Sequence, residues 1–363
     1  MTKTLIINDL HLGVQRTGGT TLESAVALRE WLHTRHDEIM QLAVTHSCNR
    51  IVVNGDLTDA FSLPLNEALA VYESVDRFMT RNPSIEVIHC TGNHDMSKDS
   101  SKMGTVTFIG ALLSMKHPGF QVISTPRPIE GSDIYAVPHC SNQDTFRLAL
   151  EGVPDTSRWV LVHANADNKF ACDADHSLDV SREVMKSFKA RGMKMVFGHE
   201  HQGREMMSGH IIIVGNPVPS SVSDCLAHGD AQKSGTKRAM IIDHDTGTHE
   251  FVTTWTEDDA EGWFARIDWK DLATVEEEGC GFVRVEGDAS AAEAADVIKA
   301  VSAFRQRSKS FVVANAVKIE QMEGLDDLSA SLEDIKSLSV LELLMEQLTE
   351  PQQVAVRKLL EEA

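Results

Sequence analysis

The sequence of 363 residues contains no stretch that approaches the ~20 consecutive apolar residues needed for a membrane-spanning helix. Its opening segment, MTKTLII, also lacks the long apolar core and the small-residue cleavage site of a secretion signal. These absences argue against a membrane protein and predict a cytoplasmic location.

Paired cysteines are also absent. A disulfide framework or a thiolate zinc site requires cysteines that cluster at short, regular spacings. The six cysteines of this chain are scattered instead, and we expect them to be buried or incidental thiols: Cys48, Cys90, Cys140, Cys172, Cys225 and Cys280.

The chain lacks the basic excess that is typical of proteins that bind nucleic acids. It has 34 Lys and Arg against 54 Asp and Glu, which gives a formal net charge of -20. The imbalance is uneven, because residues 256–363 alone carry 24 acidic and 11 basic residues. Most of the negative charge therefore belongs to the last third of the chain, and bound divalent cations would cancel part of the remainder.

Short apolar strands alternate with helical patterns over the first two-thirds of the chain, which predicts an α/β layer structure. The predicted strands are Thr4–Ile7, Ile51–Val53, Val87–Cys90, Ile134–Val137, Trp159–Val162, Met195–Phe197, Ile211–Val214 and Met240–Asp243. The predicted helices are Glu23–Leu42, Leu65–Met79, Val106–Leu113 and Ser181–Ala190.

The composition changes near residue 255, where a polar, acidic segment begins. We predict a main domain over 1–255, a small domain over 256–322 that contains a β-α-β unit, and a helical segment over 323–363. The last segment carries an apolar stripe at helical spacing: Leu338, Leu341, Leu344, Met345 and Leu348. Such a stripe fits either an ordinary packed helix or a helix that binds a partner.

Five polar clusters each follow a predicted strand directly. A single histidine at a strand end is usually a hydrogen-bonded surface residue, but five clusters rich in metal-ligand types are hard to explain that way. The clusters are Asp9-Leu10-His11, Gly55-Asp56-Leu57-Thr58-Asp59, Gly92-Asn93-His94-Asp95, His163, and Gly198-His199-Glu200-His201.

The ligand types indicate what such a site would hold. Carboxylate, imidazole and amide oxygen together suit manganese, iron or zinc. One carboxylate can bridge two ions about 3.5–4 Å apart, and such a pair supplies an activated water and clamps both oxygens of a phosphoester displacement. Gly55, Gly92 and Gly198 precede ligand positions, where we expect sharp backbone turns.

In this order the five clusters resemble the calcineurin-like metallophosphoesterases, and the resemblance covers roughly residues 3–255. It implies a two-sheet αββα sandwich. It also implies that Asp9, His11 and His201 hold one ion, that Asn93, His163 and His199 hold a second, and that Asp56 bridges them. His94 would then bind the scissile phosphate or protonate the leaving group, with Asp59 orienting it.

Three features resemble one nuclease branch of this superfamily, the SbcD-type subunit that acts with an SbcC-like ATPase. The first is the His11-Leu12-Gly13 ending of the first motif, and the second is the long helical insertion between His11 and Asp56. The third is the β-α-β unit, similar to a capping domain. This resemblance implies a manganese-dependent DNA exonuclease or endonuclease in DNA repair or recombination. It also implies a homodimer and an SbcC-like coiled-coil ATPase on the C-terminal helices.

Two alternatives remain open at the level of the sequence. A stand-alone phosphatase or cyclic-nucleotide phosphodiesterase would use the same ions, and its tail would be only a lid. A non-catalytic scaffold on the same fold would typically have lost ligands or the catalytic histidine. Here all seven ligand positions and His94 are present, which favours an enzyme.

Overall fold

The computed structural model describes residues 2–14, 22–97, 102–168, 177–222, 224, 236–256, 263–275 and 281–320. The predicted helical segment over 323–363, with its apolar stripe, lies outside the described residues. Within them, no helix combines the length and the apolar character that crossing a membrane requires.

All the strands and helices predicted for the first 255 residues form, with bounds that shift by a few residues. The main-domain strands are β1 (Lys3–Ile7), β2 (Arg50–Asn54), β3 (Glu86–Cys90), β4 (Phe120–Ile123), β5 (Arg127–Pro128), β6 (Ile134–Val137), β7 (Trp159–His163), β8 (Asn165–Ala166), β9 (Asp179–Val180), β10 (Lys194–Gly198), β11 (Arg204–Met206), β12 (Ile211–Ile213), β13 (Lys237–Asp243) and β14 (Thr248–Trp255). The helices are α1 (Leu22–Thr45), α2 (Leu65–Arg81), α3 (Thr105–Lys116), α4 (Gln143–Glu151) and α5 (Arg182–Ala190).

Twelve of these strands form two mixed six-stranded sheets, and β8 and β9 pair with each other separately. Sheet one has the order β14-β13-β1-β2-β3-β4, and sheet two has the order β11-β12-β10-β7-β6-β5. Within each sheet the central strands run parallel. In sheet one, β13 and β14 are antiparallel at one edge and β4 is parallel at the other, whereas both edge strands of sheet two, β11 and β5, are antiparallel. The fold is therefore the expected α/β sandwich.

The alternation of side chains along the central strands produces four layers. On β1, Ile6 points into the core between the sheets, whereas Leu5 and Ile7 pack on the opposite face with α1, α2 and α3. On β7, Leu161 enters the same central core, and Val160 joins a third core beneath α4 and α5. Both faces of each sheet are thus covered, which explains why these strands read as unbroken apolar runs.

A second, smaller unit follows the sandwich. Strands β15 (Phe264–Asp268), β16 (Phe282–Glu286) and β18 (Val312–Asn315) form a three-stranded parallel sheet. Helix α6 (Ala294–Arg307) connects the last two, and the short strands β17 (Asp288–Ala289) and β19 (Lys318–Ile319) pair beside them. The predicted β-α-β unit is present, with β15 as an additional strand that the sequence did not reveal.

Aromatic rings connect this small sheet to the sandwich. The ring of Trp31 on α1 lies 5.1 Å from that of Trp263 and 5.5 Å from that of Trp255, between centroids. Phe311 lies 5.4 Å from Trp263 and completes the group. The small unit therefore packs against α1. The domain boundaries at 255 and 322 remain a prediction.

Candidate metal centre

The carboxyl ends of the parallel strands bring the polar clusters together. β1, β2 and β3 are parallel neighbours in sheet one, and β7 and β10 are parallel neighbours in sheet two. Because all five strands end at the same edge of the sandwich, the residues that follow them meet there. Three groups of side chains with metal-ligand atoms form at this edge: Asp9, His11 and His201; His11, Asp59 and His94; Asp56, His163 and His199.

Backbone strain concentrates at this edge. Asp9, His11, Asp56 and His199 all have positive φ angles, of 47°, 49°, 48° and 86°. Residues with a Cβ seldom adopt this conformation, and its cost is tolerated where the surroundings impose it, often at functional sites. The turns that aim these side chains into the site are therefore held by the surrounding packing.

All three glycines before ligand positions are required by close contacts, and a Cβ on Gly55 would lie only 1.8 Å from Nδ1 of His163. A Cβ on Gly92 would lie 2.1 Å from Oδ1 of Asp56, and one on Gly198 would lie 2.3 Å from the carbonyl oxygen of Asn54. Gly55 alone of the three also has a positive φ, of 95°. The expectation of a sharp turn thus holds for Gly55, whereas Gly92 and Gly198 leave room for neighbouring polar groups.

The first group contains facing imidazole nitrogens. Nε2 of His11 lies 3.1 Å from Nε2 of His201. The carboxylate of Asp9 accepts hydrogen bonds of 3.0 Å from the main-chain N–H of His199, which fixes its orientation. This is the trio that the resemblance assigns to one ion.

The second group of predicted ligands, His163, His199 and Asn93, is arranged around the amide oxygen of Asn93. Its Oδ1 lies 2.9 Å from Nε2 of His163 and 3.1 Å from Nδ1 of His199. Oδ2 of Asp56 lies 3.3 Å from the same Nε2 of His163 and 4.0 Å from Nε2 of His11. Asp56 therefore lies between the two groups, where a bridging carboxylate would be. Which residue binds which ion stays a prediction.

Hydrogen bonds on the far side of two rings determine which nitrogen carries the proton. Nδ1–H of His163 donates to the carbonyl oxygen of Asn54 at 3.0 Å, and Nδ1–H of His201 donates to Asp224 at 2.7 Å. In a neutral imidazole this leaves a lone pair on each Nε2. Each lone pair then faces another electron-pair donor, Oδ1 of Asn93 or Nε2 of His11. A cation between such donors removes the repulsion, so this donor set fits divalent metal ions.

The electrostatics of the group agree with this fit. Burial disfavours a charge on His11, but Asp59, Asp56 and Asp9 outweigh it and raise the pKa of His11 to about 9. Burial likewise opposes a charge on His163, yet chiefly Asp56 raises its pKa to about 10. Burial disfavours ionisation of Asp56 as well, and His163 and His11 more than compensate, so its pKa lies well below the usual range. The buried carboxylates create a field that attracts positive charge.

His94 contacts Asp59 through the main chain of that residue. Nδ1–H of His94 donates to the carbonyl oxygen of Asp59 at 2.6 Å. The Asp59 carboxylate turns instead toward His11, with Oδ1 at 3.4 Å from Nδ1 of that ring. The side chain of Asp59 therefore lies beside a predicted metal ligand, while its main chain contacts His94; that Asp59 orients His94 stays a prediction.

Sequence reasoning missed several residues that hold this edge together. Asn8 and Asn54 reach from sheet one to main-chain oxygens of sheet two, through bonds of 2.7 Å to Phe197 and 3.2 Å to Val162. Asp224 contacts His201 from a segment with no strand or motif signal. The two asparagines could have been noticed as polar residues that end apolar strands, but nothing in the sequence marks Asp224.

A cleft of about 1520 Å³ opens beside the site. Asn93 and His139 belong to its lining, so it reaches the second group of ligands. The rest of the lining comes from the segment around α3, which flanks sheet one, and from α4 and α5, which flank sheet two. Eleven of the 26 lining residues are Ser, Thr, Asn or Gln, and the positive charges of Lys102, Arg147 and Arg191 are matched by Asp95, Glu151 and Asp179.

Comparison with known proteins agrees with the geometry. No curated protein matches the chain. Similar solved structures include an archaeal phosphodiesterase (11% identity, 69% of this chain and 99% of that one, TM-score 0.34) and the Pseudomonas putida nuclease MPE (13% identity, 69% and 87%, TM-score 0.29). Residues 2–203 match the sequence model of the calcineurin-like phosphoesterases. This match spans more than half of the chain, and the chain therefore belongs to the calcineurin-like phosphoesterase family.

Proposed function

We propose that this metal-dependent phosphoesterase is a two-metal DNA nuclease that hydrolyses phosphodiester bonds, with manganese as its ion. The observation that carries the proposal is that all seven predicted ligands and His94 lie together at one edge of the sandwich, beside a large cleft whose lining includes Asn93. Bound ions would activate water and stabilise the charge that develops on the phosphate. The chain's own contribution is to hold these donors in place and to present His94 to the leaving group.

The size of the cleft supports a polymeric substrate. Pockets for single small ligands usually enclose about 300–1,000 Å³. This cleft, at about 1520 Å³, has room for groups on either side of a scissile phosphate. Arg147 pairs with Glu151 at 3.3 Å on an exposed helix face. Such a surface pair contributes little stability, so Arg147 can exchange its partner for a phosphate at little cost.

The charge of the chain favours a second candidate, a phosphatase or cyclic-nucleotide phosphodiesterase that acts on small esters. The net charge of -20 disfavours a long contact with DNA. Arg191 in the cleft already pairs with Asp155 at 2.7 Å. A small substrate would need the ions and His94 but few of these cations.

Manganese-dependent digestion of end-labelled duplex and hairpin DNA, beside p-nitrophenyl phosphate and bis-p-nitrophenyl phosphate, separates the two candidates. The His94→Ser variant is the control. DNA cleavage that disappears in this variant supports the nuclease. Turnover of the small esters with intact DNA overturns it in favour of the phosphatase.

Arg147→Gln adds a test of the cleft. We expect it to slow DNA cleavage while turnover of bis-p-nitrophenyl phosphate stays unchanged, because only DNA extends that far. Arg77→Gln is the matched control. Arg77 lies on α2, is also about half exposed, and pairs with Asp37 of α1 at 2.8 Å. Equal effects of the two variants would mean that DNA does not bind in the cleft.

The proposal includes a homodimer. Large apolar side chains are exposed on the neighbouring helices α2 and α3, and Leu65 and Met115 are 79% and 86% accessible. A salt bridge of 2.7 Å between Lys116 and Asp76 joins these helices. Exposed apolar patches often mark interfaces between proteins. Light scattering of the wild type and of Leu69→Glu tests the dimer, which we expect the variant to weaken.

The proposal also includes an SbcC-like coiled-coil ATPase that binds the apolar stripe of residues 323–363. Its support is the sequence pattern alone, an amphipathic stripe in an acidic segment. A truncation after residue 322 should keep turnover of small esters and lose any stimulation of DNA cleavage by ATP and the partner. Undiminished stimulation would exclude this segment as the binding site.

A further inference from the structure

Asp224 has a contact that the ligand set does not explain by itself. Its carboxylate is buried, with 1% of the residue accessible, and Oδ1 accepts the Nδ1–H of His201 at 2.7 Å. Its other oxygen accepts both the main-chain N–H and the hydroxyl of Ser220, each at 3.0 Å. These three hydrogen bonds either aim the carboxylate at His201 or hold it in that position.

The main chain of His201 is held from a second direction. The ammonium group of Lys237, which is 2% accessible, donates to the carbonyl oxygen of His201 at 3.3 Å and to Oδ1 of Asn216 at 2.7 Å. His201 is therefore fixed at both its main chain and its ring. Such a double constraint on one partly exposed histidine requires a reason beyond packing.

We propose that Asp224 is the positioning residue of the first metal site. It keeps the proton of His201 on Nδ1, turns Nε2 toward Asp9 and His11, and strengthens this nitrogen as a ligand. A carboxylate behind a ligating histidine fixes its tautomer and ring angle and raises its basicity. The inference rests on the proposed assignment of His201 as a metal ligand.

The contrast with His163 makes the inference specific to one ion. His163 donates its Nδ1–H to a neutral carbonyl oxygen, that of Asn54, at 3.0 Å. Among the predicted metal ligands in the described part of the chain, only His201 has a carboxylate within 2.7 Å behind its ring; the nearest comparable pair, His11 and Asp59, is 3.4 Å apart and belongs to the same predicted ion. Loss of Asp224 should therefore weaken the binding of one ion and leave the binding of the other unchanged.

Asp224→Asn is the informative substitution. The single oxygen of the asparagine would accept the hydrogen bonds from the two donors of Ser220, and its amide N–H would point toward His201. That arrangement selects the tautomer with the proton on Nε2, the atom that faces the predicted ion. Asp133→Asn is the matched control, because Asp133 pairs with His244 in the same way, away from the site.

The experiment titrates metal-free protein with Mn²⁺ and follows free Mn²⁺ by its electron paramagnetic resonance signal. The wild type and Asp133→Asn should bind two ions, and in Asp224→Asn one of the two should weaken by about 10- to 100-fold. The melting temperature of the metal-free protein should fall no further in Asp224→Asn than in Asp133→Asn. The double variant Asp224→Asn/His201→Gln should bind no more weakly than His201→Gln alone.

The outcomes separate this inference from the function on which it rests. Two ions bound by Asp224→Asn with wild-type affinity, or both ions weakened equally, would overturn the role of Asp224 and leave the nuclease proposal intact. A wild type that binds no Mn²⁺ would overturn both. Should Asp224→Asn fail to fold, Asp224→Glu keeps the charge but displaces it, and an intermediate loss at one ion is then expected.

Discussion

The carbonyl oxygen of Asp59 accepts the Nδ1–H of His94 at 2.6 Å, while the carboxylate of the same residue lies 3.4 Å from Nδ1 of His11. One residue thus orients two rings with different predicted tasks, by its main chain and by its side chain. Substitutions of side chains can therefore separate the two tasks, because no substitution removes the carbonyl group.

Changing His94 to Gln should remove turnover without removing metal. His94 belongs to a group with His11 and Asp59, but the resemblance gives it a role at the substrate. Loss of a general acid usually costs at least ~10² in rate. We expect kcat for cleavage of end-labelled DNA, whose leaving alkoxide needs a proton, to fall by that factor while metal content, measured by elemental analysis, stays at the wild-type level. Normal kcat would exclude the assigned role.

Changing Asp59 to Asn should act on metal binding through His11. The carbonyl contact to His94 survives, whereas the charge beside Nδ1 of His11 is lost. Removal of such a partner typically weakens metal binding by about 10- to 100-fold. Activity should then recover at high Mn²⁺ concentration, which a titration of kcat against Mn²⁺ checks. A rate that stays low at saturating Mn²⁺ would instead place the carboxylate in the reaction itself.

Changing Gly92 to Ala should disturb the predicted bridging carboxylate. The added methyl group would lie 2.1 Å from Oδ1 and 2.5 Å from the main-chain nitrogen of Asp56. Overpacking of this kind costs roughly 1–3 kcal/mol of folding stability, and Asp56 must shift to relieve it. We expect a lower melting temperature and loss of Mn²⁺ binding.

Gly119→Ala is the matched control for this substitution. A Cβ on Gly119 would meet its nearest neighbours at 3.7–3.8 Å, an ordinary van der Waals distance. Its effect on stability should stay within about 0.5 kcal/mol, with Mn²⁺ binding unchanged. If Gly92→Ala behaved like Gly119→Ala, the close approach of Asp56 would have no functional consequence.

The sequence predicted the central strands and the place where the polar clusters meet. β2 and β7 are buried along their whole length, so their apolar runs were unambiguous. β14 was missed because it is an edge strand with mostly part-exposed side chains. Such a strand is recognisable only once its partner β13 is known.

The finer arrangement of the site could not be predicted, because it depends on contacts between distant parts of the chain. The positive φ of Asp9 and Asp56 leaves no trace in a sequence that has no glycine there. The pairing of Asp224 with His201 joins residues that the motif pattern does not relate. The main-chain carbonyl of Asp59 contacts His94 and its carboxylate lies near His11, and this arrangement depends on the geometry of the turn alone.

Two buried histidines away from the metal centre should make stability depend on pH. His36 and His89 are 0% and 1% accessible, and Nε2 of each ring has no hydrogen-bond partner. Burial lowers the pKa of His36 to about 4, and burial with a contribution from His36 lowers that of His89 to about 3. In the unfolded chain the pKa of each histidine is 6.5. Between pH 6.5 and the folded-state pKa, the unfolded state therefore binds more protons than the folded state.

The sign follows from this difference in proton binding. As pH falls below 6.5, the free energy of unfolding decreases by about 1.4 kcal/mol per pH unit for each of the two histidines, until the folded-state pKa is reached. His89→Leu removes one of them. Urea unfolding of the metal-free protein between pH 5.5 and 4.5 should therefore show a slope smaller by about 1.4 kcal/mol per unit in the variant. Equal slopes would mean that His89 takes up a proton in the folded protein, which its buried position beside Phe120, with ring centroids 5.0 Å apart, argues against.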